Sequence, residues 1–594
     1  MAGHVDTDST NQMAHTTIAG ADEGDMRRAS CSQAISRRGF IAGAALSCGG
    51  VALLASGNAL ASSGEKSLSG ASDSADGSAA AKAWDAKPDP IDRSSIAHTE
   101  DYDVVVVGAG IGGITTAARA AELGLKVAVL EKHKVSRYGG VFHGAINSTY
   151  QLNNGVEEKD PTKELLGQFE LFECNPDARL LSLWANDSSE AFDWLMPLME
   201  QDGVEATIPV KTLPDWYNTQ DEIPYPLIPG SIVLNAGPYL ESRTESEQPV
   251  ILALTKDAQN HGAKVYYSTP ARELIQDDSG AVTGVIAQGD DGDYIQFNAA
   301  KAVVMCTGDF GGNPQMCERF LPPMIARGLA KHNIYTSMMS FEEQPEERLD
   351  TGDGHKMCVW AGGAMEQNPT ATMGWPDNPA QALFPFMMVN SAGKRYINEN
   401  APFFHVAYYA ALQASAETKG GHCWQILPAN FRDEADEMRL MFQDGQTKMV
   451  DEIADPITDG TVSVSADTIE GLAQLIDVNP EVLLAEVDRY NELCELGTDL
   501  DYAKAPQFMK PIKEAPFYAI KHEQMFATTL GGIICDEKLR VLSKETGLPI
   551  PGLFAGGNTV GRKFGAVYEC SLPGICNAMT ITHAYLTANY IATL

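Results

Sequence analysis

Residues 103–131 read DVVVVGAGIGGITTAARAAELGLKVAVLE. A run of valines leads into Gly108-x-Gly110-x-x-Gly113, an alanine-rich helical stretch follows, and a second β-run closes on Glu131. This is a strand–turn–helix–strand unit with an acid at its far end, the fingerprint of a dinucleotide site. Gly108 permits the tight turn, Gly110 lets backbone approach a diphosphate, and Gly113 lets helix pack closely on strand. The helix N-terminus offers free N–H groups to phosphate. Glu131 is placed to accept hydrogen bonds from an adenosine ribose. The fingerprint by itself leaves NAD and FAD open.

The chain has 594 residues, a formal net charge of −36 and 44% hydrophobic residues. This length leaves room for three or four domain-sized units. The acid excess argues against nucleic acid and anionic lipid as partners. None of the 11 cysteines forms a CxxC, so haem attachment and ferredoxin-like spacings are absent. No metal site is expected.

Ser36-Arg37-Arg38-Gly39-Phe40-Ile41 precedes a weakly apolar Ala/Gly/Ser-rich run ending at Ala59-Leu60-Ala61. Twin arginines, a mild apolar core and an A-x-A end read as a twin-arginine signal peptide over 1–61. An uncleaved anchor helix and a lipoprotein with Cys48 lipidated are the alternatives. Export by this route places the mature chain in the periplasm or on the outer face of the cytoplasmic membrane, with no transmembrane span of its own. It also favours a tightly held FAD over a diffusible NAD. Residues 62–100 read as a flexible linker.

The FAD-binding domain is expected over 101–330, with helices at 161–173 and 177–200 and a strand-rich stretch at 262–310. Residues 331–515 have a different texture and read as a substrate-capping domain. From 516 the β pattern returns, and an apolar helix at 575–592 closes the chain. The expected fold is therefore α/β, a discontinuous Rossmann-like FAD-binding domain with an inserted α+β substrate-capping domain.

Beyond the opening fingerprint, the chain carries KAVVMCTGDFGGN (301–313), TGDGHKM (351–357), GKRYINE (393–399), VDRYNELCELGTDLDYAK (487–504), TTLGGIICD (528–536) and GLFAGGNTVG (552–561). In this order they resemble the flavoprotein superfamily that contains soluble fumarate reductases and 3-ketosteroid Δ1-dehydrogenases. The resemblance implies one FAD and hydride transfer across a C–C bond beside an activating group. The implied cofactor contacts are Gly108, Ala109, Gly110, Gly113, Glu131, Lys132, Gly139, Gly140, Ala271, Thr307, Gly308, Asp309, Gly557, Asn558, Gly574 and Ile575. Asn558 is expected on the ribityl chain, and the N-terminus of the final helix beside the ring.

The departures from the fumarate pattern are specific. Ala527-Thr528 stand where a histidine pair is expected, Asn400 to His405 contain no arginine, and Tyr568 occupies the substrate-arginine position. A dicarboxylate needs cationic, preferably bidentate partners, so fumarate is rejected. The ketosteroid pattern fits the C-terminal loop better. It implies that Tyr568 and the backbone N–H of Leu572 hold a substrate carbonyl oxygen. Phe403 and Phe404 occupy the neighbourhood of that family's base tyrosine, and His405 is the candidate for proton transfer, with Tyr408 and Tyr409 beside it. Arg395 is expected to fix its loop through Glu399.

The expected function is an exported FAD-dependent oxidoreductase. It reduces a C=C bond conjugated to a carbonyl in a small molecule, with electrons from a separate donor protein, a cytochrome or flavin carrier. The alternatives are a 3-ketosteroid-type dehydrogenase running oxidatively and a non-catalytic FAD electron carrier.

Overall fold

The computed structural model describes residues 84–594, apart from 137–139, 141, 173–174, 209–210, 212–228, 235–248, 322–349, 368, 377–385, 402, 414–422, 439–453, 523 and 569–571. The expected signal peptide at 1–61, most of the expected linker, Tyr138 and Gly139 lie outside the described residues.

The valine run of the fingerprint forms the strand Ile96–Val107, and its last four residues are buried. Neighbours flank it on both sides in an eight-stranded sheet. The order is Arg540–Leu542, Pro549–Ala555, Tyr294–Met305, Ile96–Val107, Val127–Leu130, Lys264–Tyr266. All but the first run parallel. Helices cover the sheet, which is why its central strands are apolar without alternation. An antiparallel arm, Ala271–Gln276 and Val282–Gln288, pairs along the early part of Tyr294–Met305. The register sets Val107 opposite both Leu130 and Met305. Gly108, Glu131, Cys306 and Gly556 therefore follow at one carboxyl edge, held by Gly108 N–H to Leu130 O at 2.7 Å and Gly556 N–H to Met305 O at 3.0 Å.

Helix Ile111–Glu122 lies between helices Pro249–Asn260 and Ile575–Thr593. The last of these is apolar almost all round, because it is buried against Ile111–Glu122 and Ala178–Gln201 alike. Helices Pro161–Leu171 and Ala178–Gln201 form where the apolar periodicity put them, each N-capped by an aspartate, Asp160 and Asp177. A small sheet joins Phe142–His143, Ile232–Leu234 and Ala206–Thr207. A separate four-stranded antiparallel sheet runs Met388–Asn390, Cys423–Leu427, Phe517–His522, Ser463–Ala466. Helices Ile469–Leu475 and Pro480–Leu496 close its own core around Leu472, Leu483, Val487 and Tyr490.

The linker does not reach residue 100: strand structure begins at Ile96, Ile91 N–H bonds Glu273, and Arg93 pairs with Glu273 at 2.7 Å. The long strand Tyr294–Met305 offers a free edge there, which draws the chain into register. Helix Asp353–Trp360, inside the expected capping stretch 331–515, puts Met357 and Cys358 into the core beside the eight-stranded sheet. Phe517–His522, in the stretch expected to return to the FAD-binding domain from 516, completes the four-stranded sheet. Its β pattern alone does not say which sheet it joins.

Candidate active site

The glycine turn is built by exclusion. Gly108 sits at φ +101°, and a Cβ there would lie 2.2 Å from Cys306 O. A Cβ on Gly113 would lie 1.9 Å from Gly108 O. Gly112 faces the second glycine loop, 3.5 Å from Gly557 N as measured from where its Cβ would stand. Gly144 and Gly574 have the same character, a Cβ on Gly574 falling 2.1 Å from Phe142 O. Bare backbone from five segments thus converges at the carboxyl edge of the parallel strands, where open α/β sheets bind ligands.

Helix caps mark the same place. Among the described residues, six helices are closed by a side chain on their first N–H groups, from Ser148, Asp160, Asp177, Asn313, Thr468 and Asn479. Ile111–Glu122, Asp353–Trp360 and Ile575–Thr593 instead begin at Gly110, Gly352 and Gly574, with no side-chain cap. Uncapped helix N-termini attract negative charge. Glycine cradles, uncapped termini and a buried acid at the strand end fit the diphosphate, ring and ribose of FAD.

Glu131 is buried, and its carboxylate accepts Ala109 N–H at 2.8 Å and His133 N–H at 2.9 Å. Burial raises its pKa against those two donors. The acid therefore shapes the turn as well as facing the ribose position, since each carboxylate oxygen has a second lone pair. Lys132 pairs with Asp353 at 3.5 Å. Ala271 opens the antiparallel arm, close in the chain to Thr269, whose N–H bonds Glu131 O. Thr307 N–H bonds the Thr559 hydroxyl at 3.1 Å, and that hydroxyl donates to Gly308 O at 3.2 Å. Gly140 and Ile575 are buried within this set of segments.

Two expected cofactor contacts have other partners. The Asp309 carboxylate accepts Thr528 Oγ1–H at 2.5 Å, Thr529 N–H at 2.8 Å and Gly311 N–H at 2.9 Å. Burial, with Asp350 beside it, pushes its pKa up to about 7. Asn558 donates to Thr528 Oγ1 at 3.0 Å and accepts from Lys563 Nζ at 3.2 Å and Cys576 Sγ at 3.4 Å. Both side chains tie loops together, because each is surrounded by neighbouring loop donors.

Tyr568 is buried, its ring 6.4 Å from Phe172 in a stacked pair and 4.9 Å from Phe564 edge-on. Leu572 belongs to the same core, with its side chain against Gly144. His405 is buried on helix Phe403–Ala411, which packs on the paired strands Thr372–Pro376 and Gln524–Thr529. The far end of the latter strand carries Thr528 and Thr529, the partners of Asp309. Tyr568 and Leu572 thus belong to one hydrophobic core, and His405 sits on another element. Arg395 behaves as expected: it grips Glu399 with two hydrogen bonds of 2.7 Å and adds Asp499 at 2.7 Å.

Sequence reasoning missed Lys563, His355 and Glu366. All three are buried polar groups around Gly557–Gly561. His355 lies edge-on to Phe310, and burial lowers its pKa to about 4, so it is neutral at pH 7. The signal for Lys563 was a lysine, beside Arg562, inside the glycine-rich GNTVGRKFGAV loop. Glu366 accepts the backbone N–H groups of Arg562 and Gly532, and burial pushes it up to about 7.

Glu366 gives a pH prediction. A carboxyl whose folded pKa exceeds its ordinary 4.5 stabilises the fold most below pH 4.5 and loses that contribution as pH rises through 7. Wild type is expected to lose stability relative to Glu366→Gln between pH 4.5 and 8, by roughly 1.4 kcal/mol per pH unit at most. Parallel melts of both proteins across that range check it, and a constant difference refutes it.

Among the described residues no group of three or more His, Cys, Asp or Glu is arranged to hold a metal, and no helix is long and apolar enough to cross a membrane.

Comparison with known proteins agrees with the α/β fold. The vinyl phenol reductase of Lactiplantibacillus plantarum is 26% identical, over 81% of this chain and 94% of the relative. The cytochrome-type fumarate reductase of Shewanella frigidimarina is 24% identical, over 79% of this chain and 73% of the relative. Among solved structures, the 3-ketosteroid-Δ4-(5α)-dehydrogenase of Rhodococcus jostii superposes with a TM-score of 0.60 at 20% identity, covering 84% of this chain and 99% of its own. The resemblance read from the motifs holds, and FAD is the cofactor. The FAD binding domain family matches residues 103–572, and this chain, an FAD-dependent oxidoreductase, belongs to it.

Proposed function

We propose that this protein is an exported reductase of a C=C bond conjugated to a carbonyl, acting on an uncharged or singly charged small molecule. In this reading the discontinuous, Rossmann-like domain holds FAD, and the inserted four-stranded unit caps the substrate. A separate redox protein, a cytochrome or flavin carrier, supplies the electrons. The twin-arginine motif at 36–41 supports export to the periplasm or outer membrane face.

One observation carries the substrate reading. The position expected to bind a dicarboxylate is a tyrosine, walled by Phe172 and Phe564, and two of the chain's buried cations are engaged with other groups. Arg395 serves Glu399 and Asp499, and Lys563 serves Gly557 O and Asn558. An apolar wall with one phenol suits a carbonyl conjugated to an apolar or aromatic body. The relatives named as reductases of vinyl phenol and fumarate point to C=C reduction.

Bound FAD supplies the hydride. Tyr568 Oη–H and Leu572 N–H hold the substrate carbonyl oxygen and stabilise the charge that develops on it. Phe172 and Phe564 exclude water from that oxygen. His405 moves the proton at the α-carbon.

Anaerobic photoreduction of the flavin, followed by a panel of enones, cinnamates and lactones, tests the reading. Rapid reoxidation by one of these supports it, and brisk turnover of fumarate overturns it. Tyr568→Phe is expected to lower turnover by about 10²-fold, as loss of one oxyanion donor does. A change under about threefold would remove Tyr568 from this role. A second reading, oxidation of a steroid-like ketone, is favoured by the Tyr568 and Asn558 positions. It predicts reduction of the oxidised flavin by a saturated ketone.

A further inference from the structure

We propose that Lys563 is a buried cation facing the ring end of the bound FAD, where it raises the flavin's reduction potential. The inference rests on the placement of FAD along the Gly108 and Gly557 loops.

Lys563 is fully buried, its side chain enclosed by the glycine loop and the first turn of the last helix. Its ammonium donates to Gly557 O at 2.8 Å and Asn558 Oδ1 at 3.2 Å. Among the described residues no carboxylate lies within ion-pairing distance of it. Glu366 acts on it only from beyond that distance, and an ammonium buried without an ion-paired partner is unfavourable. A fold carries such a group where another charge arrives to offset it.

The surroundings say where that charge comes from. Asn558 Oδ1 also receives Cys576 Sγ, and Cys576 lies in the first turn of helix Ile575–Thr593, which has no side-chain cap. The positive end of that helix and the Lys563 ammonium therefore converge on one place, adding positive potential. The donor chain runs one way, Lys563 Nζ to Asn558 Oδ1, Asn558 Nδ2 to Thr528 Oγ1, Thr528 Oγ1 to Asp309 Oδ2. It leads from a cation to a distant buried carboxyl and fixes Asn558 in one orientation. The nearby chain thus holds Lys563 in place without neutralising it. Two parts of FAD carry negative charge, the diphosphate and the reduced ring. The diphosphate already has the Gly108–Gly113 turn and the uncapped N-terminus of Ile111–Glu122. The ring end is left for Lys563.

Sulfite tests this without any substrate, so the outcome stands whether or not the proposed reaction is found. It adds reversibly to the oxidised ring, forming an S–N bond and leaving the negative charge that the reduced ring carries. On the FAD-loaded full-length protein, Lys563→Met is expected to weaken sulfite binding at least tenfold. It should also lower the two-electron midpoint by about 30 mV, the equivalent of tenfold. Lys563→Arg, which keeps the charge, should stay within about threefold of wild type. Should the methionine variant fail to fold, Lys563→Gln, which retains a donor for Gly557 O, carries the same expectation. A neutral variant that keeps FAD with sulfite affinity and midpoint within threefold of wild type overturns the proposal. So does one that loses FAD affinity while its bound fraction keeps wild-type sulfite affinity, because that places the ammonium at the diphosphate.

Discussion

Gly113→Ala is expected to yield protein without FAD. The new methyl would stand 1.9 Å from Gly108 O and 3.2 Å from Val106 Cγ1. A flexible side chain can give way, but Gly108 O is backbone. Gly108 is itself held at φ +101° with Cys306 O 2.2 Å from its missing Cβ, so the turn has no room to retreat. The helix must lift off the strand, which moves its N-terminal N–H groups away from the diphosphate position. Overpacking of this kind costs about 3 kcal/mol or more, and loss of the cofactor removes a further stabilising contribution. Absorbance at flavin wavelengths against protein concentration, with a thermal melt, checks the expectation. Gly124→Ala is the control: φ is +86° but nothing lies within 4 Å, so only the backbone conformation is strained. That costs roughly 1 kcal/mol and should leave FAD bound. A Gly113→Ala protein holding stoichiometric FAD would mean that helix and turn are not in contact.

The second large effect is expected from Arg395→Met. Arg395, Glu399, Asp499 and Lys504 form a buried cluster joining the loop 393–399 to the segment 499–504. The guanidinium lies over the rings of Tyr490 and Tyr502, at 5.0 and 4.8 Å. Lys504 bonds the Tyr490 hydroxyl at 2.8 Å, and burial lowers its pKa to about 8. Removing Arg395 leaves two buried carboxylates facing one such ammonium. Breaking a buried pair by taking away one partner costs about 3–5 kcal/mol. Lysine is no substitute, because the two-pronged grip on Glu399 needs the guanidinium fork. Burial pushes Asp499 up, but its bonds with Arg395 prevail and bring it down to about 2. In Glu399 burial is likewise overcome, by Lys504 and Arg395. Depressed carboxyls stabilise the fold above their ordinary pKa near 4 and lose that contribution as pH falls through the folded value. The gap between wild type and Arg395→Met is therefore expected in full at pH 7 and to narrow from about pH 4 toward pH 2. Urea unfolding at several pH values measures it. A gap under about 1 kcal/mol at pH 7 would show that the cluster does not hold the loop.

Much of the site was legible because glycine and charge have strict local meanings. Gly108, Gly113 and Glu131 were readable from spacing, since only one arrangement of strand, turn and helix makes use of them together. The Arg395–Glu399 pair was readable because four residues separate two opposite charges in a chain otherwise turning inward. Lys563, His355 and Glu366 were not. Their role depends on burial, and a lysine in a loop has the same sequence signature whether it faces water or core. The partners of Asn558 within the chain were not legible, because Thr528 and Lys563 reach it from residues 30 and 5 positions away.

The sequence by itself determined the parallel nucleotide-binding unit, because it follows from short-range patterns of residue type, while the family resemblance of its ordered motifs implied FAD and the lack of arginine at the dicarboxylate positions. Only the tertiary structure decided which sheet Phe517–His522 completes and that helix Asp353–Trp360 packs beside the first sheet. It alone decided that a lysine and a carboxyl would be sealed at opposite ends of one donor chain. Strand pairing and burial are settled by partners hundreds of residues apart, and no local pattern encodes which partner is chosen.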